Sequence, residues 1–556
     1  MSDKTTAAVL IAEALVRNRV ERVFCVPGES YLALLDALYD TRIAVAVFRH
    51  EGAAAFAAEA WGKLTGRPGI VMVTRGPGAT NASGGLHVAR QDSTPVIMFV
   101  GQVARSMRGR EAFQEIEFRR MLGEVAKWVE EIPAASRAPE FVSRAFHVAT
   151  SGRPGPVVLS LPEDMLREAT SARNPAPWVQ VETYPGPAQM AQLQKMLWAA
   201  KRPFVILGGG RWSEAAVAGM RRFAERFDLP VGCSFRRQAL FDQEHPNYAG
   251  DVGIGPNPDL AACIRETDVL LLVGGRMSEM PSSAYKLIDI PEPRQALVHV
   301  HPGAEELGSI YRPTLAINAS PTAFVAALES LQPPHGEIPW AGQSETLHAS
   351  YLKWSSPVKN PGPVQLSEIV AWLRGRLPDD AIIANGAGNY AGWVHRFFRF
   401  RRFGTQLAPT SGTMGYGLPA AIAAKLLHPD RMVVCFAGDG DFQMTGNEMQ
   451  TAVQEGAAVI VVVVNNGIHG TIRMHQERDY PGRVVATEIT SPDYAALARA
   501  HGGHGEKVER TEDFAAAFDR AAASGKPAIV EVVFDKEAIG PSTTLSAIRG
   551  KGRGKA

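Results

Sequence analysis

The chain has 556 residues, 46% apolar and 21% charged, and its basic and acidic side chains balance to a net charge of +1. That length exceeds a single hydrophobic core and points to three or four domains. The near-neutral balance gives no global field to attract nucleic acid or a membrane surface, and the sequence holds no 18-residue apolar run that could span a bilayer. Four cysteines, Cys25, Cys233, Cys263 and Cys435, are scattered beside apolar residues with no CxxC or Cys-His spacing. This argues against zinc and fits reduced, buried thiols in a cytoplasmic protein. The opening MSDKTTAAVLIAEAL is amphipathic and lacks the long apolar region and cleavage site of a signal peptide.

In chain order, residues 1–170 alternate helix and strand. Residues 5–18 carry helical spacing, 23–26 form a strand closed by Pro27-Gly28, and 31–39 are helical. A strand at 43–48, a helix at 51–64 and a strand at 69–74 lead to the turn Gly76-Pro77-Gly78. Further strands fall at 95–100 and 157–161. This rhythm is that of a doubly wound parallel sheet. Residues 167–190, with Pro175, Pro177, Pro185 and Pro187, read as a linker. A second α/β unit, 190–331, has strands at 204–207, 269–273 and 297–300, the first followed by Gly208-Gly209-Gly210. A second Pro/Gly-bearing linker covers 332–362, and a third unit, 363–540, has outer strands at 381–384 and 528–533. Residues 541–556 end in the basic, glycine-rich GKGRGKA and read as a flexible tail. The expected fold is α/β, with three doubly wound parallel-sheet domains.

The third unit contains the stretch richest in chemistry, residues 432–471. An apolar strand, 432–437, runs into Gly438-Asp439-Gly440, whose glycines predict a tight turn and close backbone approach. A helix is expected at 446–455, and a β-branched strand at 458–464 then delivers Asn465-Asn466. A βαβ unit returns its second strand parallel to the first. Asp439 and the Asn465-Asn466 pair therefore converge at the carboxyl edge, where open α/β sheets bind ligands. A carboxylate and a carboxamide are hard oxygen donors suited to Mg²⁺, which keeps other positions for water and phosphate oxygens. The glycine turn alone is better explained by an ordinary βαβ unit.

GDG, then 24 residues (441–464), then Asn-Asn resembles the signature of thiamine diphosphate enzymes. The three units then correspond to that family's pyrimidine-binding, central and diphosphate-binding domains. The resemblance implies Mg²⁺ ligands at Asp439, Asn466 and the Ile468 carbonyl, with Gly438, Gly440 and Asp441 beside the cofactor. Glu51, in FRHEGAAAF, reads by itself as an acid favoured at a helix N-terminus. The resemblance gives it a second role, contacting N1′ of the aminopyrimidine and sharing a proton there. Pro27, Gly28, Pro77 and Asn81 line the cofactor cleft by the same comparison. In TSGTMGYG, Met414 matches the residue that wedges the cofactor into a bent shape, and the Gly412 carbonyl accepts from its amino group. Gly388 and Asn389, in NGAGN, are read as a diphosphate cradle, although the family's Gly-Gln-His pattern is missing there. The family's cleft lies between two chains, which implies at least a homodimer, with a homotetramer common.

The subfamily rests on fewer positions. GPGATN, and Phe113-Gln114 where pyruvate decarboxylases have His-His, resemble acetolactate synthases and pyruvate oxidases, so Gln114 joins Glu51 in the catalytic set. Ile472 is apolar where pyruvate decarboxylases carry a glutamate. Glu29 departs from the acetolactate synthase pattern, which has glycine there; it reads either as a helix N-terminal acid or as a proton donor. Met280 stands where biosynthetic acetolactate synthases have an arginine holding the acceptor carboxylate, and Arg473 and His475 are the candidates to replace it. Gly208-Gly209-Gly210 with Arg276 resembles an FAD-binding middle domain, but flavin-free members keep such glycines, which leaves FAD open. The reading is thiamine diphosphate- and Mg²⁺-dependent decarboxylation of a 2-oxo acid with carboligation, acetolactate synthase-like. The alternatives are a non-oxidative 2-oxo acid decarboxylase or 2-hydroxyacyl lyase and, outside catalysis, a silent scaffold paralogue.

Overall fold

A computed structural model describes residues 5–554. Its compact units are Met1–Val181 with Ile422–Leu427, and Glu182–Ala421 with His428–Ala556. Besides a short antiparallel pair, Thr5–Thr6 with Ala169–Thr170, the described strands build three six-stranded sheets, each parallel throughout, as expected from runs of apolar residues buried on both faces. The first sheet contains β1 (Arg22–Cys25), β2 (Ala44–Val47), β3 (Gly69–Val73), β4 (Val96–Gln102), β5 (Trp128–Glu131) and β6 (Pro156–Pro162). Their spatial order is β2-β1-β3-β4-β6-β5. The second contains β7 (Pro203–Leu207), β8 (Val231–Ser234), β9 (Tyr248–Val252), β10 (Val269–Val273), β11 (Ala296–Val300) and β12 (Leu315–Ile317). Its order, β9-β8-β7-β10-β11-β12, is that of a dinucleotide-binding fold. The third contains β13 (Ile382–Asn385), β14 (Gln406–Leu407), β15 (Val433–Gly438), β16 (Ile460–Asn465), β17 (His504–Val508) and β18 (Ala528–Val533). Its order, β14-β13-β15-β16-β18-β17, repeats that of the first.

The apolar strands expected from the sequence are present within a residue or two, while β5, β8, β9, β12, β14 and β17 are additional. Four local expectations fail. Gly438-Asp439-Gly440 is not a glycine turn: β15 runs to Gly438, which has φ −76°, and a helix begins at Asp439. The glycines provide room, since a Cβ on Gly438 would lie 3.1 Å from the Tyr390 ring and one on Gly440 2.9 Å from the His469 ring. The helix expected at 446–455 divides into a 3₁₀ turn, Gly446–Glu448, and a helix, Met449–Gln454. The 332–362 linker contains the helix Gln343–Trp354, whose Leu347 and Tyr351 are buried one turn apart against the middle sheet.

The flexible-tail expectation also fails. Leu545–Arg553 is a helix whose N-cap, Thr544, accepts from the Ala547 N–H at 3.1 Å. Leu545 and Ile548, three residues apart and so on one face, pack with Ile468, Ile539 and Met474. Arg549 donates to Glu477 at 2.8 and 2.6 Å. Glycine and lysine dominate the composition there, but two apolar residues and one paired arginine suffice to dock the segment. Residues 1–4 and 555–556, which the expected first unit and tail include, lie outside the described residues. Among the described residues, no helix is long and apolar enough to cross a membrane.

Candidate active site

In the first unit, three adjacent strands, β2, β1 and β3, end in the segments singled out from the sequence. The helix after β2, Glu51–Thr65, opens with His50 as N-cap, its Nδ1 accepting from the Gly52 N–H at 3.0 Å. Glu51 thus occupies the first helical position, with its charge favoured by the helix dipole. Its Oε2 accepts from Asn81 Nδ2 at 2.9 Å, and a Cβ on Gly78 would approach its Oε1 to 3.2 Å. Asn81 and Pro77 lie on the exposed side of the helix Pro77–Asp92 that follows β3. The Pro27-Gly28-Glu29 segment closes β1. A Cβ on Gly28 would collide with Thr74 at 2.5 Å, and Ser30 and Thr74 share a 2.8 Å hydroxyl contact. Glu29 itself is exposed. Gln114, at φ +63°, packs its backbone and Cβ against Gly76, while Arg75 beneath it donates to the Phe113 carbonyl and to Glu163 at 3.1 and 3.2 Å. The structure therefore gathers Glu51, Asn81, Pro77, Gly28 and Gln114 around one carboxyl edge.

In the second unit, four adjacent strands of the third sheet, β14, β13, β15 and β16, do the same. Asp439 begins the helix Asp439–Gln443 and is 3% exposed. Its Oδ1 accepts from the Gly440 N–H at 2.9 Å, and its Oδ2 from the Gly467 N–H at 2.8 Å and Ser491 Oγ at 3.2 Å. These donors are all neutral, and burial raises its pKa from the ordinary aspartate value against the lowering effect of those bonds. Gly467 takes φ +67°, which favours glycine, and lets the Asn466-Gly467-Ile468 corner fold over the carboxylate. Asn466 Oδ1 accepts from the Ile468 N–H at 3.2 Å. The bridge from this corner to residue 488 uses His469 N–H to the Thr487 carbonyl (2.8 Å) and Ile489 N–H to the Gly467 carbonyl (3.0 Å), not the Ile468 carbonyl. Asn465, by contrast, points along the sheet and donates to Glu531 at 2.8 Å.

This donor set fits Mg²⁺. Among the described residues, no group of three or more His, Cys, Asp or Glu side chains could hold a metal. An ion here would take Asp439, Asn466 and the Ile468 carbonyl, with water and phosphate oxygens completing its shell, as a magnesium diphosphate requires.

Asp441 is bound into its own unit. Tyr390 Oη and the Gly415 N–H both donate to its buried carboxylate. Burial pushes its pKa up to about 6 against the lowering effect of those bonds and of Arg236. Thr445 Oγ1 donates to the Gly415 carbonyl at 2.7 Å, so Gly415 is held on both sides. Beyond it, Met414 is half-buried, and Gly412 is exposed at φ +67°. Gly388 and Gly438 flank the Tyr390 ring, where Cβ atoms would come within 2.9 and 3.1 Å. The Asn389 side chain joins Thr471 Oγ1 (2.8 Å) to the Ile539 carbonyl (2.9 Å). Sequence spacing did not reveal Tyr390, Thr445 or Ser491, because each acts through a fold contact more than 25 residues away.

Two proposed substrate and cofactor signals change meaning. Arg473 is buried and donates to Glu477, Thr487 and Glu488, so it is engaged within the fold rather than presented to an acceptor. In the middle sheet, a Cβ on Gly209 would come within 1.8 Å of the Gly274 carbonyl oxygen, and one on Gly208 within 3.1 Å of Gly275. Trp212 Nε1 already donates to the Gly208 carbonyl at 2.8 Å. Close packing of the β7 and β10 ends therefore accounts for these glycines, which do not by themselves call for a flavin.

Both carboxyl edges, and the three sheets of the fold, place the molecule in a known class. Residues 5–121 match the N-terminal TPP-binding domain of thiamine pyrophosphate enzymes, 190–328 the central domain and 386–532 the C-terminal TPP-binding domain. The chain belongs to the thiamine pyrophosphate enzyme family. Among its relatives, the acetolactate synthase large subunit of Parasynechococcus marenigrum is 31% identical, covering 95% of this chain and 87% of the relative. The acetolactate synthase isozyme 2 large subunit of Escherichia coli (strain K12) is 29% identical, covering 95% of each chain. The mitochondrial acetolactate synthase catalytic subunit of Saccharomyces cerevisiae is 28% identical over 96% of this chain and 81% of its own.

Proposed function

We propose that this is an acetolactate synthase-like carboligase. With thiamine diphosphate and Mg²⁺ it breaks the bond between the carboxylate and carbonyl carbon of a 2-oxo acid, releases CO₂, and joins the remaining fragment to a second carbonyl carbon. The observation that carries this reading is Asp439, a buried carboxylate bracketed by neutral donors under the Asn466–Ile468 corner. Thiamine diphosphate, when bound, supplies the carbon nucleophile and the electron sink that side chains lack. The protein's part is to hold the metal through Asp439, Asn466 and the Ile468 carbonyl. The Gly388–Asn389 backbone and the Gly438–Gly440 helix start meet the diphosphate. Glu51 holds and moves a proton at the aminopyrimidine ring nitrogen, and Gly412 and Met414 fix that ring. Gln114 and Glu29 face the substrate.

A non-oxidative decarboxylase or 2-hydroxyacyl lyase is the second reading. It is favoured by the engagement of Arg473, which leaves an acceptor carboxylate without its guanidinium partner, and by exposed Glu29, placed to deliver a proton. The working unit in our reading is a cytoplasmic homodimer or homotetramer.

The test is to supply purified protein with thiamine diphosphate, Mg²⁺ and pyruvate, then a panel of larger 2-oxo acids, and to measure CO₂, acetaldehyde, and acetoin after acid treatment. Acid-derived acetoin supports carboligation. Acetaldehyde alone shifts the assignment to the second reading. No CO₂ from any 2-oxo acid overturns the decarboxylation chemistry common to both.

A further inference from the structure

Arg236, two residues beyond β8 in the middle sheet, is an unusual residue. Its backbone takes φ +59°, a left-handed conformation that disfavours side chains with a Cβ, and its guanidinium is buried, with the residue 6% exposed. Residues held against both penalties persist where their surroundings over-determine them. Much of what surrounds it belongs to segments around the third sheet, while Asp251, on β9, comes from its own. Arg236 donates to the Pro409 carbonyl, and its charge acts on Asp441, His395 and Asp251. Next to it, the Gln238 N–H donates to Gln406 Oε1 at 2.7 Å, Gln406 Nε2 returns a bond to Gln238 Oε1 at 2.9 Å, and Gln238 Nε2 reaches the His395 carbonyl at 2.7 Å. The Phe235 ring meets His395 edge-on, with centroids 6.2 Å apart.

These contacts gather on Gln406 of β14, on Pro409 two residues beyond it and on His395 of the helix Ala391–Phe397. Pro409 opens the loop 410–414, whose far end, Gly415, is gripped by Asp441 and Thr445. Between the two anchors lie Gly412 and Met414. One end of the loop is therefore fixed from its own sheet and the other from the middle sheet, and the Arg236 charge faces the carboxylate that fixes the first. A loop anchored at both ends has less freedom to lose when a ligand docks on it.

We propose that Arg236 is a positioning residue for the loop 410–414: it fixes Pro409 from the middle sheet so that Gly412 and Met414 are preorganised for the ring portion of the cofactor. This rests on the reading that the loop meets the aminopyrimidine ring, whereas the diphosphate is held elsewhere, at Asp439 and Asn466. The two halves of the ligand can therefore be probed separately.

Full-length protein stripped of cofactor is titrated calorimetrically with thiamine diphosphate plus Mg²⁺ and, separately, with inorganic diphosphate plus Mg²⁺. Arg236→Met is expected to weaken thiamine diphosphate roughly tenfold, the scale of one charge-assisted hydrogen bond, and to leave inorganic diphosphate unchanged. Arg236→Lys, which keeps a cationic donor, is expected to recover most of that loss; if the methionine substitution does not fold, Arg236→Gln, a shorter neutral side chain, is read in its place against the same two ligands, with the same expected result. A general structural defect would weaken both ligands alike, and that result, or unchanged binding of both, overturns the proposal. Wild-type protein that binds inorganic diphosphate but not thiamine diphosphate overturns the cofactor reading itself, which is a separate failure.

Discussion

The first and third sheets have the same strand order, yet their carboxyl edges hold carboxylates of opposite character. Glu51 follows the second strand of its sheet, which lies at the edge, and is half-exposed with Asn81 as its side-chain partner. Asp439 follows the third strand, which lies inside the sheet, and is buried under a corner contributed by the neighbouring strand. Position in the sheet thus decides the electrostatics. A carboxylate at an edge strand keeps contact with water and can exchange a proton, whereas one at an inner strand, surrounded by neutral donors, lacks a counter-charge that a bound cation would supply. On the function proposed above, the same topology used twice would offer one group for proton transfer and one for a metal, distinguished by which strand each follows.

The largest effect expected from breaking this comparison is on the proton side. Glu51→Gln keeps the shape and the helix start but cannot share a proton, and turnover should fall by about 10²–10⁴-fold, the usual reach of a general acid–base group. Thiamine diphosphate affinity measured calorimetrically should stay close to wild type; a parallel loss of affinity would show that Glu51 binds rather than relays. Asp439→Asn should behave in the reverse way. Removing one partner of a buried charge pair costs about 3 kcal/mol, roughly 10²-fold in affinity, so Mg²⁺-dependent cofactor binding should weaken by that order. Turnover at saturating cofactor should be largely recovered. Asn81→Ala sharpens the picture further. Losing the carboxamide that orients Glu51 should lower turnover by about tenfold, as expected for one hydrogen bond to a charged group, without altering the Mg²⁺ requirement.

How much of this was legible in the sequence follows from the same physics. The central strands were readable because burial on both faces demands unbroken apolar runs such as IVVVV in β16. Edge strands with one solvated side, WVEE in β5 and HGEKV in β17, carry no such run and were missed. Asp439, Asn466 and Glu51 could be placed because each sits a fixed step beyond a readable strand. Nothing in GDGD says that the Asp441 carboxylate is taken up by Tyr390 and Gly415, since those contacts depend on how the segments after β13 and β14 fold over the end of β15. Arg473 was misread for a similar reason, because its partners at 487 and 488 lie on a loop with no sequence pattern.

The third sheet has one more feature that bears on the contrast, and its effect should be the smallest. Glu477, on the buried face of the helix Gly470–Asp479, accepts from Arg549 at 2.8 and 2.6 Å, from the Gly482 N–H at 3.0 Å and from Arg473 at 3.3 Å. Through Arg549 it docks the C-terminal helix, whose Leu545 and Ile548 lie against the Ile468 side chain. The Arg549 hydrogen bonds, followed by those of Gly482 and Arg473, pull the Glu477 pKa down to about 2, from about 4.3 in an unfolded chain. A depressed folded pKa means stabilisation that is complete above the unfolded value and is lost as pH falls through the folded one. Docking of residues 545–553 should therefore weaken progressively from about pH 4.3 toward about pH 2. Amide hydrogen exchange of that helix, corrected for intrinsic rates, should show protection falling over this window in the wild type. In Glu477→Gln the protection should start lower and stay flat. Equal acid sensitivity in both proteins would mean that Leu545 and Ile548, rather than the carboxylate, hold the helix over Ile468.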